Sequence, residues 1–138
     1  MDCVYCKIIK KELPAFILYE DDLFLVILDR YPVTEGHTLI ISKSHAKDIF
    51  ELGADAAADV FTLAKKIAAG LKDALNCEGV NIVQNNGAAA GQSVFHFHAH
   101  VIPRRENDGV ALRINSRDIS IDELERSYKK LGGLNFGG

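Results

Sequence analysis

Three of the chain's five histidines, His96, His98 and His100, stand at alternate positions in SVFHFHAHVIPRR, residues 93–105. On a β-strand alternate side chains share a face, about 7 Å apart along the strand. The residues between them, Phe95, Phe97, Ala99 and Val101, are apolar and suit an opposite face packed into a core. A single strand histidine is most often a hydrogen-bonded structural residue. Three on one face are a different matter, because each buried ring nitrogen needs a hydrogen bond or a metal. The pattern points to metal ligation or to nucleophilic and acid–base chemistry by imidazole.

Two other stretches carry chemistry. Cys3 and Cys6 form a C-x-x-C pair in MDCVYCKIIKKELP, a spacing that serves as half of a zinc site or as a redox motif. No thioredoxin-type βαβ unit surrounds it, so the remaining ligands are sought among His37, His45 and the histidine row. Just before the row lies NNGAAAGQS, residues 85–93, whose glycines permit close backbone approach to an anion. Neither GxGxxG nor GxxxxGK[ST] occurs in the chain, and a Gly/Ala-rich turn is by itself weak evidence of a phosphate site.

The elements that must position these residues follow from periodicity. VYCKIIKK reads as a short helix ended by Leu13-Pro14. FILYE and LFLVILD read as a hairpin turning at Asp21-Asp22, HTLIIS as a third strand, and VNIVQNN and SVFHFHAHVI as two more. The segment DAAADVFTLAKKIAAGLKDALNCEG has Val60, Phe61, Ala64, Ile67, Ala68, Leu71 and Leu75 at helical spacing, with Asp55 as its cap. Ser120 and Glu123 open a last helix that Gly132-Gly133 stops. Five strands with one long helix predict an α+β fold with an antiparallel sheet.

The 138 residues, 48% of them hydrophobic, with a net charge of −3, suit one soluble domain spanning 1–138. There is no basic excess for bulk nucleic acid and no N-terminal apolar run for a signal peptide or membrane span. The expected location is the cytoplasm, where an odd count of three cysteines argues against structural disulfides.

HFHAHVI, residues 96–102, matches the motif of the histidine triad (HIT) family. LDRYPVTEGHTLIISKSH, NNGAAAGQSVFHFHAHVIPR and CVYCKIIKKELPA extend the match over the chain to about residue 105, leaving 106–138 as a less diagnostic tail. The chain resembles the Hint-type purine nucleoside phosphoramidases. That resemblance implies a HIT-like sheet, extended across a homodimer, and cleavage at the α-phosphate of a purine nucleotide such as an AMP or GMP conjugate.

The resemblance also implies roles. His98 is the nucleophile, giving a covalent nucleotidyl-imidazole that water hydrolyses. His37 lies beside it, and a triad carbonyl fixes its tautomer. His100 and Ser93 face the leaving group. Gly91, Gln92 and Ser93 offer backbone and side-chain donors to the phosphate, with Asn85 nearby, and Asp29 accepts from the ribose hydroxyls. Tyr5, Ile8, Leu13 and Ile27 line the base pocket. Members that begin with C-x-x-C bind one structural zinc through the residues matching Cys3, Cys6, His45 and His96. The chain departs from the eukaryotic enzymes in having no tryptophan, and so no tryptophan-containing tail, which leaves its substrate preference open. A dinucleoside polyphosphate hydrolase and a zinc-stabilised nucleotide-binding or scaffold protein are the alternative readings. Cys77 has no assigned partner.

Overall fold

The computed structural model describes residues 2–137. The strands are β1 (Ile17–Glu20), β2 (Phe24–Leu28), β3 (Thr38–Ser42), β4 (Gly79–Val83) and β5 (His98–Arg104). The helices are α1 (Val4–Ile9), α2 (Ala54–Leu75) and α3 (Ile121–Leu131). The sheet runs in the order β1-β2-β3-β5-β4, with every pairing antiparallel. This is the α+β fold the periodicity predicts.

β2 and β3 read as unbroken apolar runs because both faces of the sheet centre are covered. On one face Phe24, Val26, Ile40, Ala99 and Val101 pack under Val60, Leu63 and Ala64 of α2. On the other, Leu25, Ile27, Leu39 and Ile41 pack against Ile8 of α1. The register pairs Leu39 with His100 and Ile41 with His98, so both histidines rise from this second face, beside α1 and away from α2.

Local details depart from the sequence reading. α1 stops at Ile9, well before Pro14. Lys11 takes a left-handed conformation (φ 65°), and the Glu12 and Lys11 amides donate back to the Lys7 and Ile8 carbonyls, closing a Schellman cap. Gly53, not Asp55, is the N-cap of α2; Asp55 lies inside the first turn, where its carboxylate accepts from the Ala56 amide and faces the positive end of the helix. Phe61 points outward, 68% exposed, and Leu63 takes its place in the apolar stripe. The Ser120 hydroxyl caps α3 by accepting from the Glu123 amide at 3.1 Å, as read from the sequence.

Candidate functional site

The histidine row is only partly a strand. β5 begins at His98, and His96 precedes it in irregular backbone that crosses toward the segment after β3, where the Phe97 amide donates to the Ala46 carbonyl at 2.7 Å. Phe95, expected on a packed face, is 45% exposed for the same reason. This departure from the ladder turns His96 toward Cys3, Cys6 and His45, while His98 and His100 stay together, ring centroids 5.0 Å apart.

Backbone groups set the tautomer of each buried ring. His96 Nε2–H donates to the Ser42 carbonyl at 2.6 Å, so its Nδ1 carries a lone pair. His98 Nδ1–H donates to the His96 carbonyl at 2.7 Å, leaving Nε2 as its bare nitrogen. The Val33 amide donates to His37 Nδ1 at 3.1 Å, so the proton of His37 sits on Nε2 and is donated to His100 Nδ1 at 2.9 Å. His100 Nε2–H is thereby the free donor of that ring. Ser42 and Val33 act through main-chain atoms, for which the sequence carries no side-chain signal.

Burial pushes all these imidazoles below their ordinary value. His100 is held lowest, down to about 4, by desolvation and then by neighbouring His98 and His37, with Asp29 opposing. His98 is lowered by desolvation, against the His96 carbonyl and Asp29. His37 is lowered by desolvation and partly restored by Asp29, whose Oδ2 lies 3.4 Å from Nε2. At neutral pH the Asp29–His37 contact therefore joins a carboxylate to a neutral imidazole and is not an ion pair. Asp29 Oδ1 accepts from the Tyr31 amide at 2.8 Å, which leaves Oδ2 lone pairs for another donor.

The second cluster sits immediately beside the first. One donor atom from each of Cys3, Cys6, His45 and His96 lies within 4.8 Å of all the others. His96 Nδ1 is 3.3 Å from Cys3 Sγ, 3.6 Å from Cys6 Sγ and 3.0 Å from His45 Nδ1, and Cys6 Sγ is 3.3 Å from His45 Nδ1. A tetrahedral ion with zinc-like bonds holds such atoms about 3.3–3.8 Å apart. The donor set fits, and the Ser42 carbonyl behind His96 is the kind of outer partner that orients a ligating imidazole.

Other positions divide. Tyr5 stands edge-on to His96 and His98, with centroids 5.8 and 5.0 Å away, so it walls the space between the two clusters. Ile8 and Ile27, expected in a base pocket, are buried in the packing between α1 and the sheet, and Leu13 is 39% exposed. Gln92 also differs from expectation. Its Oε1 accepts from the Gly87 amide, and its two Nε2 protons go to the Lys47 and Val94 carbonyls at 2.6 and 3.1 Å. Its amide N–H goes to the Gly87 carbonyl and that of Gly91 to Ala88, so both residues shape the loop and have no donor left for an anion. Ser93 at the loop's end is exposed, and the half-buried Asn85 flanks Gly91, its Nδ2 3.7 Å from where a Cβ there would stand.

The HIT domain family matches residues 10–107. The chain belongs to the HIT family. An adenosine 5'-monophosphoramidase of Schizosaccharomyces pombe is 39% identical over 126 residues, spanning 91% of this chain and 92% of that protein. The crystal structure of a HIT family member from Bacillus subtilis covers 100% of both chains at 35% identity, with a TM-score of 0.90. A Zn-bound histidine triad protein from Mycobacterium smegmatis is 41% identical, with a TM-score of 0.77 over 91% of this chain and 89% of that one. This HIT protein is thus placed with nucleotide hydrolases and transferases. No helix of the described residues is long and apolar enough to cross a membrane.

Proposed function

We propose that this HIT protein is a purine nucleoside 5'-phosphoramidase that releases AMP or GMP through a covalent intermediate on His98. The observation that carries the reading is the 2.7 Å bond from His98 Nδ1 to the His96 carbonyl, which reserves the Nε2 lone pair for attack. That nitrogen forms a bond to the α-phosphorus as the P–N bond breaks, and the departing amine takes a proton passed through the exposed Ser93 hydroxyl from solvent. Water then attacks the same phosphorus and breaks the N–P bond, its proton passing to solvent, which releases the monophosphate and the neutral imidazole. His100 donates from Nε2 to the phosphoryl or leaving-group side, a donor that His37 fixes by occupying Nδ1. Asp29 accepts from the ribose, Asn85 binds near the phosphate, and Tyr5 with Leu13 borders the base.

Cys3, Cys6, His45 and His96 hold one structural zinc, with four protein ligands and no open position. Its chemistry is to fix α1 to the start of the catalytic strand. In the cytoplasm both thiols stay available to the metal. Residues 1–138 act as one unit and pair as a homodimer, for which the free sheet edges at β1 and β4 offer unpaired backbone.

The test is AMP release from adenosine 5'-phosphoramidate beside a diadenosine polyphosphate at equal concentration. Faster release from the phosphoramidate is expected. Preference for the polyphosphate would move the substrate to the alternative hydrolase, and release from neither would return the protein to a binding role.

A further inference from the structure

His100 presents its Nε2 donor because His37 occupies its other nitrogen, and the tautomer of His37 is set by the Val33 amide, in a loop with little packed around it. Residues 29–37 join β2 to β3 and are closed by the Asp29 amide donating to the His37 carbonyl at 2.9 Å. Val33 is 47% exposed and Glu35 is exposed. Val33, Thr34 and Glu35 face Leu75, Cys77 and Pro103 across a cavity of about 270 Å³, so side-chain packing does not hold this part of the loop. Pro32 has no N–H that could replace the Val33 donor.

A single side chain ties the loop down. Successive carbonyls of a strand point to opposite edges. In β5 the Arg104 carbonyl faces β4 and accepts from the Glu78 amide at 3.0 Å, so the Pro103 carbonyl faces the β3 side, where the ladder has already ended at Thr38 and Val101. The Thr34 hydroxyl takes the vacant place and donates to the Pro103 carbonyl at 2.8 Å. Among the described residues, this is the one hydrogen bond that residues 30–36 make outside the 29–38 hairpin. The Thr34 carbonyl accepts from the His37 amide at 3.2 Å, so Thr34 bridges β5 and His37.

We propose that Thr34 is a positioning residue that sets the direction of the His37–His100 hydrogen bond. By holding the loop to β5 it keeps the Val33 amide 3.1 Å from His37 Nδ1, and so the His37 proton on Nε2. Asp29 Oδ2, 3.4 Å from the same Nε2, favours that tautomer too. Under the phosphoramidase reading, on which the catalytic consequence rests, this carboxylate also serves the ribose, and the Val33 amide is the support not shared with substrate. Without it both rings can reverse together. The proton of His37 moves to Nδ1 and that of His100 from Nε2 to Nδ1, with each ring neutral and the bond between them still made, now donated by His100. The reversed pair presents a lone pair from His100 Nε2 where the phosphoryl or leaving group needs a donor.

The experiment uses the zinc-loaded full chain, wild type beside Thr34→Val and Thr34→Ala, which lack the hydroxyl, and Thr34→Ser, which keeps it. Long-range proton–nitrogen NMR spectra of protein with isotope-labelled histidine assign which ring nitrogen of His37 and His100 is protonated. AMP release from adenosine 5'-phosphoramidate gives kcat and KM. Wild type and Thr34→Ser are expected to carry Nε2 protons on both rings. The variants without the hydroxyl should show Nδ1-protonated forms of both, and a kcat lower by about 10-fold or more with KM within about twofold. Nε2 protons on both rings in a folded variant without the hydroxyl overturn the proposal whatever its kcat, and so does a Thr34→Ser protein with reversed tautomers. Wild-type release from neither the phosphoramidate nor a diadenosine polyphosphate sinks the functional reading alone, since the spectra still decide on Thr34.

Discussion

His37 and His100, 63 residues apart in the chain, meet ring to ring at 2.9 Å, and the proton between them belongs to His37 Nε2 because the Val33 amide already occupies its other nitrogen. Two neutral imidazoles are thereby joined in one line from a turn amide to the outer edge of His100. Protonating either ring places a cation in a buried site that already lowers both.

That arrangement makes stability pH-dependent. The unfolded His100 titrates near 6.5 and the folded one at about 4, so between these values the unfolded chain binds a proton that the folded chain does not. Stability is full above about pH 6.5 and is lost as pH falls toward 4, with His37 and His98 acting in the same direction. Thermal melts across this window should show the loss, and a His100→Asn variant should show a shallower one. Equal slopes for the two proteins would remove His100 from the account.

His98→Asn should lower kcat by about 1000-fold or more, since the attacking nitrogen is gone. AMP binding measured by calorimetry should survive, because Asp29 and Asn85 remain. Turnover within a few-fold of wild type would falsify nucleophilic catalysis by His98.

Protein purified without added metal should contain one zinc per chain by elemental analysis, and the Cys3→Ser/Cys6→Ser double variant none. Stripping the metal with a chelator should lower Tm by about 10 °C, the order expected for about 3 kcal/mol in a chain of this size. A full-strength melt after verified metal loss would show that the cluster contributes nothing to the fold.

Gln92→Ala removes three side-chain hydrogen bonds, two that close the 87–94 loop on itself at Gly87 and Val94 and one that ties it to Lys47. It should cost about 2–3 kcal/mol, since two carbonyls and an amide lose their partner, and raise KM through the displaced Ser93. Urea unfolding together with steady-state kinetics checks both. Destabilisation with no change in kinetics would leave Gln92 a purely structural residue.

Gly36 precedes His37 at φ +84°, and a Cβ there would stand 2.5 Å from Leu75 Cδ1 and 3.3 Å from Pro103 Cγ. Gly36→Ala should destabilise by about 1–3 kcal/mol from positive-φ strain and overpacking against the end of α2. Denaturant midpoints measure it; a neutral result would mean that Leu75 swings aside and the turn relaxes.

Much of this was legible in the sequence because the signals are local and periodic. Short apolar runs marked β2 and β3, the 3.6-residue stripe marked α2, the Ser120 and Glu123 spacing marked α3, and HFHAHVI marked the family. Periodicity also misled where chain direction changes: it extended the last strand through His96 and Phe95, although the backbone leaves the ladder at His98. The family resemblance further implied that Gln92 serves the phosphate and Ile8 and Ile27 the base. Only the tertiary structure shows the first spent on Gly87, Lys47 and Val94 and the other two consumed by packing. The same holds for every tautomer. Which nitrogen of His37, His96, His98 or His100 carries the proton depends on the main-chain amide or carbonyl, or the neighbouring ring, that folding brings within hydrogen-bond reach, and amides and carbonyls are identical at nearly every position of the sequence.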